Sequence, residues 1–389
     1  MLDLFRALTL LGALTLAACG SGSGNGNNGI TEPVPDPLPE FDFTAVDERL
    51  QQFIDEDPDF DGISYILVDR DLGVIHRAEF GDHTPDLVTL LASGSKMPAA
   101  SLLMALDSDE SIDFDPREGI GSYLPFAGLY PDRTVEQLLS NTSGLPGLVA
   151  MLAAQDVFAY HQCQFLPQGT LQACAESIYT SVVPGVVPAG TEYRYGGSQW
   201  QLAGAVAEVV SNSSWAQAWD AYIAEPCGLA VFEFGNMWSV LESWNGSPDS
   251  LQGRENPNIE GGAITNLADY ASLLLMHLND GACGDNQVMT AEAVAFMRED
   301  RGGEFGTPYG MGWFILEPEE GDGSQTPVYA HTGLFGDTAW IDVERGIGGF
   351  VAIDGLVLPG SSVPVALVYS EIIDAVAAEV DRARADLVE

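Results

Sequence analysis

Apolar residues recur at helical spacing from Phe43 to Ile54 behind an acidic start, which predicts a helix. After the turn-rich stretch Asp55 to Gly62, the segments Ile63 to Val68 and Gly73 to Phe80 read as a hairpin closed by Asp69-Arg70-Asp71-Leu72. From Ser93 to about Cys283 the pattern is helical, with Pro98–Leu106, Thr134–Ser140, Gln199–Val210, Trp215–Ile223 and Leu267–Leu278 each apolar on one face. The period then changes. Tyr309–Leu316, Val328–His331, Thr338–Val343 and Gly348–Ile353 are strand-like, and Val363–Leu387 reads as a closing helix. Strands near both ends and helices between them predict an α/β fold. One layer is assembled from the two ends of the chain (about 41–92 and 300–389), with a mostly helical region (about 93–299) inserted.

The first 40 residues do not join this pattern. Arg6, an apolar run from Ala7 to Leu16, and then Leu16-Ala17-Ala18-Cys19-Gly20 form a secretory signal over residues 1–18 that resembles the bacterial lipobox. That resemblance implies lipidation of Cys19. The apolar run is well short of the ~20 residues that span a bilayer. Residues 19–40, rich in Gly, Ser, Asn and Pro, read as a flexible tether. Four cysteines remain, an even number in an oxidising compartment. Of the three possible pairings, loop closure favours Cys163 with Cys174 and Cys227 with Cys283.

Composition narrows the function classes. The 389 residues are 46% hydrophobic, enough for a packed core, and carry a net charge of −43. Such a field repels phosphate backbones, so nucleic acid is excluded as a partner. Acidity of this kind is the mark of a protein kept soluble in salt. His76, His83, His161 and His277 lack metal-ligand spacing, and no C-x-x-C occurs, so neither a metal nor another cofactor is expected. The cationic side chains are thirteen arginines and one lysine, Lys96.

That lysine lies in Ser93-Gly94-Ser95-Lys96, at the predicted start of a helix. Serine and lysine three apart share a helical face. A hydroxyl becomes a useful nucleophile when a neighbouring base takes its proton, and an amine can do so if burial keeps it partly neutral. A first helical turn also offers backbone N–H groups to a developing oxyanion.

Two further stretches follow in order: Tyr193-Arg194-Tyr195-Gly196-Gly197-Ser198 before an apolar helix, and Val328-Tyr329-Ala330-His331-Thr332-Gly333-Leu334 ending a strand. Ser-x-x-Lys, a loop tyrosine and Lys/His-Thr-Gly on a strand together resemble the serine β-lactamase-like hydrolases, the family of class C β-lactamases, DD-peptidases and related esterases. Asn141-Thr142-Ser143-Gly144-Leu145-Pro146 and Gly261-Gly262-Ala263-Ile264-Thr265 are similar to stretches of that family. The likeness runs from about residue 43 to 380. It implies a β-lactamase/transpeptidase-like fold, with an antiparallel sheet flanked by terminal helices, and a catalytic domain over 41–389. It also implies that Ser93 is acylated, that Lys96 is its partner in proton transfer, and that Tyr195 passes protons to the leaving group and to the deacylating water. His331 and Thr332 would orient substrate. The backbone N–H groups of Ser93 and Leu334 would form the oxyanion hole, with Gly333 allowing close approach.

Two departures bear on the reaction. Where the family's tyrosine loop commonly reads Tyr-x-Asn, this chain has Gly197, which removes an amide that holds an acylamino group. His331 stands where most β-lactamases have a lysine that pairs with a substrate carboxylate. The resulting expectation is an extracytoplasmic serine hydrolase that cleaves ester or amide bonds of a small acyl or peptide substrate. It would be held at the periplasmic face of a membrane, the outer membrane being expected, only through its lipid. A peptidoglycan DD-peptidase or weak β-lactamase is the alternative within enzymes. A catalytically silent binding lipoprotein on the same scaffold is the alternative outside them. The oligomeric state is not fixed by the sequence.

Overall fold

The strand Gly62–Asp69 (β1) turns Ile63, Tyr65 and Leu67 toward one layer of helices and Ile66 and Val68 toward another. Every residue of it is buried, Ser64 and Asp69 included, so neither face is turned to solvent. A computed structural model describes residues 38–56, 60–153, 155–237, 244–318, 327–357 and 365–387. The expected signal, the expected lipidation site Cys19 and most of the tether lie outside the described residues. Beside β1 stand β2 (Gly73–Gly81), β3 (Phe314–Leu316), β4 (Val328–Thr332), β5 (Thr338–Asp342) and β6 (Ile347–Ala352). They form one antiparallel sheet in the order β2-β1-β6-β5-β4-β3, so the two ends of the chain meet where β1 pairs with β6, Tyr65 opposite Val351. The β-lactamase/transpeptidase-like arrangement expected from the motifs is the one observed.

Helix α1 (Thr44–Glu56) and the C-terminal helix Val365–Ala385 cover the outer face. Val46, Leu50 and Phe53 of the first and Tyr369, Ile372, Val376 and Val380 of the second recur at helical spacing and pack with Tyr65, Leu67, Trp340 and Val351. The inner face holds the helices that carry the site. Helix α2 (Lys96–Asp107) is buried all round from Lys96 to Leu106 and runs through the helical region beside α3 (Gln199–Ser211). Helix α4 (Leu267–Leu278) is capped by the Asn266 side chain, which accepts the Asp269 N–H at 2.8 Å, and lies on the sheet with Tyr270 stacked on Phe350, centroids 4.2 Å apart.

Three elements depart from the reading above. The helix expected over Trp215–Ile223 ends as an α-helix at Trp219 and continues as a wider turn of π type over Asp220–Ala224. Of Tyr309–Leu316 only Phe314–Leu316 is strand, because the chain doubles back at Gly310 and Gly312 and Gly310 donates its N–H to the Trp313 carbonyl. A second small sheet, Thr89–Leu90, Ala263–Thr265 and Glu233–Phe234, lies within and beside the region read as helical. The disulfides are Cys163–Cys174 and Cys227–Cys283, the pairing favoured by loop closure.

Candidate active site

The small sheet positions Ser93. Leu91 donates its N–H to the Ala263 carbonyl at 3.0 Å, and the Ala263 N–H reaches the Ser95 hydroxyl, also at 3.0 Å. Between these anchors Ala92 adopts φ 41°, a left-handed conformation that is costly for a residue with a Cβ. The turn it makes lifts Ser93 into a short 3₁₀ segment, Ala92–Ser95, that runs directly into α2. Ser93 is half-buried, while Ser95 and Lys96 are wholly buried. The Lys96 Nζ stands 3.1 Å from the Ser93 Oγ, the contact that the spacing of three predicts.

The charge on Lys96 differs from the expectation of a partly neutral amine. Burial is the largest influence and pushes its pKa down, but the neighbouring Tyr195 and Glu260 outweigh it and hold the amine above the ordinary lysine range. The Glu260 carboxylate is 3.2 Å from the Nζ, and the Glu260 backbone carbonyl accepts from it at 3.1 Å. This local carboxylate supplies the counter-charge; the distant surface acids are not needed.

Tyr195 lies on the loop before α3, its ring 4.6 Å from the Lys96 Nζ. Its hydroxyl makes a long contact, 3.4 Å, with His331 Nε2, which the Tyr309 hydroxyl also approaches at 3.3 Å. The His331 Nδ1 lies 3.2 Å from the Thr332 carbonyl, an acceptor only, so Nδ1 carries the proton and Nε2 accepts. Burial, with Lys96 nearby, pushes the His331 pKa down to about 3. The ring is neutral. Thr332 is exposed at the end of β4, and Leu334 is half-buried just beyond it.

Gly333 serves a somewhat different approach from the one expected. A Cβ there would come within 2.0 Å of the Leu91 carbonyl and of Asp337 Oδ1, so its absence lets β4 close onto the turn that carries Ser93. A Cβ on Gly94 would likewise meet Asp337 Oδ2 at 2.0 Å. Asp337 is thus sealed behind the turn, with both oxygens buried and without hydrogen-bond partners. Burial, with Asp354 adding to it, drives its pKa well above the carboxylate range.

Gly197 is where the family's amide is missing, and other side chains fill the place. It adopts φ +90°, a Cβ on it would lie 2.8 Å from the His161 ring, and its N–H donates to Glu260 Oε2 at 2.8 Å. The preceding Gly196 would press a Cβ to 2.5 Å from the same oxygen. Gln164 donates to Glu260 Oε1 at 2.8 Å, and His161 Nδ1 accepts the Ser198 N–H at 3.0 Å. Sequence reasoning missed Glu260, Gln164, Tyr309 and Asp337, and it left His161 with the structural histidines. One signal was available: Glu260 directly precedes Gly261-Gly262, a pair already tied to the family. Gly262 is held glycine because a Cβ would fall 1.9 Å from the Gly235 carbonyl. Among the described residues no cluster of three or more His, Cys, Asp or Glu is placed to hold a metal.

Ser93 and Lys96 on one turn, Tyr195 on a loop and His331 at the end of a strand converge on one point, the grouping that the motifs led us to expect. The Beta-lactamase family model matches residues 50–364, and the chain belongs to that family. Penicillin-binding protein 4 of Amycolatopsis lactamdurans is 27% identical over 302 residues, spanning 70% of this chain and 74% of its own. Among solved structures, EstCE1, a hydrolase with promiscuous acyltransferase activity, superposes with a TM-score of 0.69 at 19% identity, covering 86% of this chain and 97% of its own. A penicillin-binding protein homologue from Caulobacter crescentus superposes with a TM-score of 0.64 at 19% identity, covering 87% of this chain and 97% of its own.

Proposed function

We propose that the protein is an extracytoplasmic serine hydrolase, tethered through a lipid on Cys19, that forms an acyl-enzyme at Ser93 and cleaves neutral esters or amides. The observation that carries the reading is the 3.1 Å contact between Ser93 Oγ and Lys96 Nζ on a half-buried turn that substrate can reach. The Ser93 Oγ attacks the carbonyl carbon while the backbone N–H groups of Ser93 and Leu334 receive the oxyanion. Tyr195 gives its proton to the leaving group and later takes one from the water that releases the acyl group.

The substrate class follows from charge. His331 is neutral and Lys96 is already paired with Glu260, which leaves no unpaired cation in the set described to bind a substrate carboxylate. The amide that would grip an acylamino side chain is absent at Gly197. Both features favour a neutral acyl donor over a β-lactam or a D-alanyl peptide.

A panel of p-nitrophenyl esters, D-amino amides and β-lactams, run on wild type and Ser93→Ala, tests this. Ester turnover and fluorophosphonate labelling that vanish in Ser93→Ala are the expected results. Absence of both in the wild type would identify a silent binding protein, and turnover confined to β-lactams or D-alanyl peptides would restore the peptidoglycan reading.

A further inference from the structure

We propose that Glu260 is a positioning residue of this reaction: it holds Lys96 as an ammonium at rest and takes a proton from it when Ser93 attacks. The inference rests on the serine-hydrolase reading. It starts from a hydrogen inventory. A lysine ammonium has three N–H bonds, and three oxygens lie within 3.2 Å of this one, Ser93 Oγ at 3.1 Å, the Glu260 carbonyl at 3.1 Å and Glu260 Oε2 at 3.2 Å, with the Tyr195 hydroxyl interacting from further out. As an ammonium, the nitrogen has no lone pair free for the Ser93 proton.

Glu260 is the complementary partner. Gln164 donates to Oε1, the Gly197 N–H and Lys96 face Oε2, and all three are N–H donors, the surroundings of a carboxylate anion. The side chain is 4% exposed, so water does not screen the pair. Two glycines make room for it, since a Cβ on Gly196 would press on Oε2 and Gly197 turns its N–H inward at φ +90°.

Two histidines and two tyrosines around the pair are neutral. His161 is pushed down to about 4 and His331 to about 3, in each case chiefly by burial. Burial likewise raises Tyr193 and Tyr309, which remain hydroxyls. The Tyr195 hydroxyl faces the accepting Nε2 of His331 and is placed as a donor.

The step balances. As the Ser93 Oγ bonds to the carbonyl carbon and the π pair moves to oxygen, one Lys96 N–H passes to Glu260 Oε2. The nitrogen so freed accepts the Ser93 proton. When the bond to the leaving group breaks, that group takes the Tyr195 proton, Lys96 restores Tyr195, and Glu260 restores Lys96. The acyl-enzyme is left with Lys96 and Glu260 charged as at the start.

Two measurements on the full chain test this. The single lysine makes the first direct: with ¹³Cε-lysine the protein shows one signal, that of Lys96. An ammonium shift from pH 6 to 9 is expected in the wild type, and a neutral amine at pH 7 overturns the proposal whatever any variant does. The second is the pH profile of kcat and KM on a p-nitrophenyl ester for wild type, Glu260→Gln and Glu260→Asp. In Glu260→Gln the base must be Lys96 itself, so the acid limb should move alkaline by more than about one pH unit. Activity at pH 6 should fall by about tenfold or more, the gap closing by pH 9 with KM little changed, while Glu260→Asp keeps the limb in place. Equal loss at every pH with an unmoved limb would assign Glu260 a structural part only. Failure of the hydrolase reading looks different: the wild type would take no fluorophosphonate label while the lysine signal stayed that of an ammonium.

Discussion

His331 presents its Nε2 to the Tyr309 hydroxyl at 3.3 Å while its other nitrogen faces a carbonyl, so this pair fixes a neutral, buried imidazole beside Tyr195. A histidine there would ordinarily charge as pH falls through about 6.5. With its pKa pushed down to about 3, it should not. The preference for a neutral ester over the same ester bearing a carboxylate, read as a ratio of kcat/KM, is expected to stay constant from pH 8 to 5. A ratio that falls below pH 6.5 would mean that His331 charges and that the Tyr309 contact does not control it.

Lys96→Arg keeps the positive charge opposite Glu260 but removes a nitrogen that can give up and regain a proton. Loss of acylation by ~10²–10⁴-fold is expected, with the fold retained by circular dichroism. Lys96→Met should do more damage, because it leaves the Glu260 carboxylate buried without its ion-pair partner, at a cost of roughly 3–5 kcal/mol in stability. Urea unfolding of the two variants checks the contrast.

Asp337 gives a prediction of the opposite sign. Its folded pKa is raised, so the wild type gives up stability as pH climbs from about 4 toward that value, while the unfolded chain ionises freely. Asparagine has the same shape and nothing to ionise, and its amide can donate to the Leu91 carbonyl that crowds the same point above Gly333. Asp337→Asn should therefore stabilise by roughly 1–3 kcal/mol at pH 8, with the gain shrinking toward pH 4. Unfolding curves at the two pH values decide it, and a loss at pH 8 would show that the carboxyl has a partner through its proton.

Restoring the family's amide by Gly197→Asn should fail as a gain of function. The φ of +90° and the His161 ring 2.8 Å away oppose any side chain there, and the substitution is expected to destabilise by about 1–3 kcal/mol without raising β-lactam turnover. Paired with Glu260→Ala and His161→Ala, which empty the place, the same asparagine should be tolerated better. A double-mutant comparison of melting temperatures measures that coupling.

The parts of the site legible in the sequence were those written as local spacing. Ser93 and Lys96 sit three apart at a helix start, and Tyr195 and His331 carry recognisable neighbours. The sheet was readable for the same reason, since β1, β5 and β6 are mostly apolar runs between turn residues. Glu260 was not readable because it is one of 57 acids, and nothing near it in sequence tells that Gln164, Gly197 and Lys96 converge on it. Tyr309 was taken for a strand residue; the loop through Gly310 and Gly312 is what brings it to His331. The charge on Lys96 was misjudged on the same account, because the expectation weighed burial alone and the acid that offsets it comes from 164 residues further along the chain.

The burial of Lys96 also has a use apart from catalysis. A protease that cuts only after lysine has a single target bond in this chain, Lys96–Met97, and both residues are 0% exposed at the start of α2. Cleavage there requires the helical region to open, so the rate at which the intact chain disappears under such a protease reads the free energy of that opening directly. The same residue that is proposed to move a proton in the folded enzyme thus supplies a built-in gauge of how often the fold comes apart.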